Sequence, residues 1–99
     1  MIVELAILEG QAGQGDALRD GLRQARSVIS RSEGYLGSTF HRGIENPDQF
    51  ILHIKWTDVT AHVEGFRQGP LFSEWRSHFV HLLANPPTVS HFEIIAGDE

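Results

Sequence analysis

The chain predicts an α+β fold of the ferredoxin-like kind, in the order βαββαβ, and three observations carry that expectation. Four short runs rich in β-branched and apolar residues fall at 1–9, 35–42, 49–56 and 88–95. Between the first two lies a stretch with helical periodicity, and between the last two a pair of shorter ones broken by Gly69-Pro70. That element order is the split βαβ arrangement, in which helices cover one face of a four-stranded antiparallel sheet.

The first strand, MIVELAILE, stops at Gly10, and GQAGQG reads as a plain turn because its glycines are in the order GxxGxG with no phosphate-loop lysine behind them. From Gly15 to about Ser32, Leu18, Leu22, Ala25 and Ile29 recur at spacings of four, three and four, with Arg19, Asp20 and Arg23 outward. Asp16 is the expected N-cap, and Gly34 the expected left-handed stop. Strands 35–42 and 49–56 are joined by GIENPD, whose Asn-Pro-Asp supplies turn chemistry. Thr57 or Asp58 then caps a short helix to about Gln68, with Val59, His62, Val63 and Phe66 on one face. After Pro70 the segment PLFSEWRSHFVHLLA reads as one helix carrying Leu71, Phe72, Trp75, Phe79, Leu82 and Leu83 on a stripe, ended by Asn85-Pro86-Pro87.

At 99 residues, with no linker or charge run, residues 1–99 are expected to form a single domain. ELAIL and FILHI are apolar on nearly every residue, whereas a sheet with one wet face should alternate, so the second face is expected to be covered by another copy in a homodimer. Eight Lys and Arg are scattered among thirteen Asp and Glu, so there is no basic stripe for nucleic acid. The absence of cysteine fits a reducing compartment, and no apolar run is long enough for a bilayer, so a cytoplasmic protein without membrane contact is expected.

Arg76 is the residue that periodicity singles out. It stands four after Phe72 and three before Phe79, at the edge of a stripe facing the sheet, where a guanidinium must pair or stay wet. His62 shares a helix face with Phe66, and an imidazole there can exchange a proton near neutral pH. Trp56 shares strand parity with Phe50, Leu52 and Ile54, which places it on the core face, and Trp75 reads as core. His53 and His91 have the opposite parity to the apolar residues of their strands and are expected on the far, dimer-facing side. His78 and His81 lie three apart on a helix, but no HExxH or carboxylate triad accompanies them, and no metal is expected.

The element order, with GYLGSTFHRGIENPDQF, WTDVTA and GPLF, resembles the antibiotic biosynthesis monooxygenase domains over residues 1 to about 96. The resemblance implies a dimeric α+β barrel and, on the pattern of the cofactor-free members, oxidation of a small aromatic quinol, phenol or anthrone by dioxygen with no cofactor. His41, Trp56 and Arg76 match positions of those oxygenases, whereas Leu52 replaces an asparagine and His62 a tyrosine. Many members carry a glutamate and a histidine where this chain has Ile54 and Gly65. On that basis His62, His41 and Arg76 are the expected catalytic set. Trp56, Leu52, Phe66 and Phe72 are the expected substrate-binding walls. Two other readings stay open: a haem-binding or haem-degrading oxygenase, whose working positions would fall near Ala6, Phe66 and Arg76, and a non-catalytic small-ligand-binding dimer.

Overall fold

The computed structural model describes residues 1–98. Its sheet is antiparallel with strand order β2-β3-β1-β4, built from β1 (Ile2–Glu9), β2 (Tyr35–Arg42), β3 (Gln49–Trp56) and β4 (Thr88–Glu93). Helix α1 (Gly15–Ile29), a wide helical turn at Ala61–Phe66, helix α2 (Leu71–Ser77) and a short 3-10 turn at Val80–Leu82 complete the chain. This is the ferredoxin-like α+β arrangement that the sequence predicts.

Register decides which side chains meet. Leu8 pairs with Phe50, Ala6 with Leu52, Glu4 with Ile54 and Ile2 with Trp56, so these even-numbered residues share the helix-covered face. Leu18, Leu22, Ala25 and Ile29 of α1 are all buried against them, as their spacing predicts. Gly21 allows α1 to pass close to the end of α2, because a Cβ there would meet the His78 carbonyl oxygen. Gly34 holds the left-handed conformation, φ 88°, that turns the chain from α1 into β2.

Four local expectations are corrected by tertiary contacts. Asp16 is not the N-cap. It lies inside the first turn and binds Arg42, while Asp48, from the β2–β3 loop, accepts the backbone N–H of Gly13 at 3.1 Å and Gly15 at 2.9 Å. The segment after Pro70 is not one helix. It breaks at Phe79, whose φ of −148° leaves the helical region, and beyond it the Ala84 N–H donates to Glu9 while Gln11 binds the carbonyls of His81, Leu82 and Leu83, which ties this segment to the end of β1. Strand β4 ends at Glu93 rather than 95, where its ladder with β1 runs out at Ile2. The helix after Asp58 is wound more widely than an α-helix: Asp58 caps it through the Ala61 N–H, and the Arg67 N–H reaches the His62 carbonyl at 2.8 Å, five residues back.

The other sheet face carries Val3, Leu5, His53, Lys55 and Phe92, with Phe92 51% and Ile51 36% exposed. Among the described residues no helix is long and apolar enough to cross a membrane.

Candidate functional site

A cavity of about 290 Å³ lies between the sheet and the helical segment. Its floor is the even face of β1 and β3 through Ala6, Leu8 and Leu52, and its roof is aromatic, with Phe66, Phe72, Trp75 and Phe79. Phe66 meets Phe72 and Trp75 edge-on at 5.6 and 5.8 Å, which holds those rings in fixed mutual orientation. Four polar side chains enter this apolar space: Glu4, His62, Arg67 and Arg76.

Glu4 is 5% exposed and His62 is 3% exposed, so both are interior groups that require partners. The Trp56 indole N–H donates to Glu4 Oε1 at 2.9 Å, and His62 Nε2 lies 3.3 Å from the same oxygen. His62 Nδ1 shares a hydrogen bond with His91 Nε2 at 2.8 Å. The imidazole also stacks on Trp56, ring centroids 5.4 Å apart. Burial drives the His62 pKa down to about 4, helped by the nearby charge of Arg67 and by His91. The ring is therefore neutral near neutral pH, and its contact with Glu4 is not an ion pair. Burial moves the Glu4 carboxyl the other way, above the ordinary carboxylate range, with the Trp56 hydrogen bond and Arg67 opposing.

The two guanidiniums stand at the outer part of the cavity. Arg76 lies over the Phe72 ring at 5.7 Å, and neither it nor Arg67 is paired with an acid among the described residues. Both are donors for an anionic or carbonyl oxygen at the mouth.

Of the residues singled out in the sequence, His62, Arg76, Leu52, Phe66 and Phe72 all line the cavity. Two do not. His41 pairs with Ile51 on the other sheet face, is exposed, and hydrogen-bonds Thr39; a shift of one strand position from the core face removes it from the cavity. Trp56 is fully buried behind the cavity wall, and its N–H is committed to Glu4, so it supports the site without facing a ligand.

His91 corrects another expectation. It pairs with Glu4 across the β1–β4 ladder and faces the helices, while Phe92 lies on the open face. The apolar residues of a strand mark its core face only when that face is the covered one, and in this edge strand Phe92 faces outward. His78 is not among the residues lining the cavity, and among the described residues no three His, Asp or Glu side chains are grouped to hold a metal ion.

Sequence reasoning misses Glu4 and Arg67. The signal for Glu4 is present, since a lone acid at the same parity as Ala6 and Leu8 is a charge on a core face. Glu4 also stands directly across from Ile54, the position at which the family resemblance predicts a glutamate, so the neighbouring strand supplies a carboxylate there.

The fold and cavity together define a small ferredoxin-like α+β domain with a buried carboxylate and imidazole against an aromatic cavity between sheet and helices. Comparison with known proteins makes this specific. The family model for antibiotic biosynthesis monooxygenase matches residues 1–78, and the chain belongs to that family. A Bordetella bronchiseptica structure, provisionally assigned as an antibiotic biosynthesis monooxygenase, is 35% identical with a TM-score of 0.91, covering 96% of this chain and 97% of that one. YczJ of Bacillus subtilis (strain 168), an uncharacterised protein, is 32% identical over 94 residues, 94% of this chain and 98% of its own. SnoaB of Streptomyces nogalater, a cofactor-independent oxygenase solved as a point mutant, shares the fold with a TM-score of 0.81 at 14% identity, covering 97% and 94% of the two chains.

Proposed function

We propose that the protein is a cofactor-independent monooxygenase that oxidises a small aromatic quinol, phenol or anthrone with dioxygen, working as a homodimer. One observation carries this reading: a buried acid–imidazole pair, Glu4 and His62, opens on a cavity walled by aromatic rings and rimmed by two arginines, neither paired with an acid among the described residues.

An aromatic substrate would lie against Phe66, Phe72 and Leu52. Loss of a proton to the buried pair makes it electron-rich enough to pass an electron to dioxygen, and recombination gives a hydroperoxide. Elimination of water then leaves the carbonyl product, so that a CH₂ group and O₂ become a C=O group and H₂O. Arg76 and Arg67 stabilise the negative charge that develops, and such donors act most strongly in a dry site. The homodimer reading rests on the exposed apolar residues of the open sheet face, among them Phe92 and Ile51.

Oxygen uptake with a panel of quinols and anthrones tests the proposal. Turnover is expected for the native chain, with Arg76→Ala and His62→Ala reduced about 100-fold or more. An inactive native chain across the panel would sink the oxygenase reading in favour of a binding protein, and mutants equal to an active native chain would sink the roles given to Arg76 and His62.

A further inference from the structure

Resting on the oxygenase reading of the same cavity, we propose that Glu4 is the group that takes the proton from the bound substrate, with His62, Trp56 and His91 as the residues that position it.

The geometry at one oxygen carries the assignment. Trp56 Nε1 at 2.9 Å and His62 Nε2 at 3.3 Å both approach Glu4 Oε1. Oε2 accepts no hydrogen bond among the described residues, and no buried side-chain oxygen of the described chain is left without a partner. Oε2 therefore keeps an open side, and the space that Glu4 lines is the cavity. The carboxylate is fixed through one oxygen and presents the other to a ligand.

His62 is placed differently. Its Nδ1 is occupied by His91 at 2.8 Å, and its Nε2 lies against Glu4. The hydrogen bond between Nδ1 and His91 Nε2 couples the tautomers of the two rings and holds the His62 imidazole in place, with its Nε2 3.3 Å from the carboxylate. The groups facing Glu4 are Ile54 from β3, His91 from β4, His62 from the wide turn and the charge of Arg67 beyond it. Burial strengthens Glu4 as a base and weakens His62, which agrees with this division of roles.

In the step itself the substrate C–H or O–H bond breaks and its proton goes to Oε2. The electron pair stays on the substrate and goes on to dioxygen. The peroxide anion then recovers the proton from Oε2, leaving Glu4 ionised for the next turnover.

The test is anaerobic binding of a naphthol whose absorption reports its ionisation, followed by oxygen uptake with a quinol across the pH range. Native chain, Glu4→Gln, Glu4→Asp and His62→Gln are compared. The native chain should ionise the bound naphthol, and Glu4→Gln should abolish ionisation and lower kcat at least about 100-fold while changing affinity less than about 3-fold. Glu4→Asp, should Glu4→Gln fail to fold, keeps the acid one methylene further back and should retain part of the ionisation. His62→Gln should weaken ionisation and move its pH midpoint without abolishing it. Ionisation that survives in Glu4→Gln, or that is lost in His62→Gln alone, overturns the assignment. A native chain that ionises naphthol through Glu4 but consumes no oxygen supports Glu4 and defeats the oxygenase reading.

Discussion

Replacing His62 by phenylalanine should flatten the acid limb of the stability curve. Phenylalanine keeps a flat ring against Trp56 and Phe66, where His62 stacks at 5.4 and 6.3 Å, but it cannot take a proton. In the native chain the imidazole titrates at about 4 when folded and at its ordinary 6.5 when unfolded. Between those values the unfolded chain binds the proton and the folded one does not, so stability is full above about pH 6.5 and falls as pH drops towards 4. A difference of about 2.5 pKa units corresponds to at most about 3 kcal/mol, and the ring's access to the cavity reduces this to about 2 kcal/mol. Glu4 works in the opposite direction: its raised pKa favours the fold at low pH and that contribution is lost as pH rises. Urea unfolding followed by tryptophan fluorescence at about pH 7.5 and about pH 4 would measure both. The native chain should lose about 2 kcal/mol more than His62→Phe on acidification, a relative Tm change of about 10 °C. Parallel losses within about 0.5 kcal/mol would refute the idea that His62 is held neutral by burial.

Other perturbations follow from the same contacts. Trp56→Phe removes the only N–H that meets Glu4 Oε1 within hydrogen-bond geometry among the described residues, and should cost about 2 kcal/mol in urea unfolding because a buried acceptor loses its donor. Asp48→Ala should cost about 1 kcal/mol and speed amide exchange at Gly13 and Gly15, whereas Asp16→Ala leaves those two N–H groups unchanged. Phe92→Glu should convert a dimer to monomer by light scattering while sparing the cavity, because Phe92 is on the opposite sheet face. A dimer unaffected by that charge would move the interface elsewhere.

The elements themselves are legible because their signals are local. The Leu18–Leu22–Ala25–Ile29 spacing needs only its own helix, and Gly34 and Asn-Pro-Asp act within a few residues. The same local signals put His62, Phe66, Phe72 and Arg76 near one apolar surface, and that placement agrees with the cavity. Where a distant segment competes, the local reading fails. Asp48 takes the capping role from Asp16 across the β2–β3 loop, and Glu9 draws to β1 the Ala84 N–H that a continuous helix would have turned back on Val80.

Composition, period and turn chemistry determined the ferredoxin-like order and the apolar walls of the site, since each depends on neighbours along the chain. Only the tertiary structure decided the chemistry inside those walls. Glu4 and His91 meet because β1 and β4 are paired in one particular register, and His62 reaches them from the wide turn packed over the sheet. Register is a relation between strands far apart in sequence, and a change of one position would turn His41 inward and Glu4 outward.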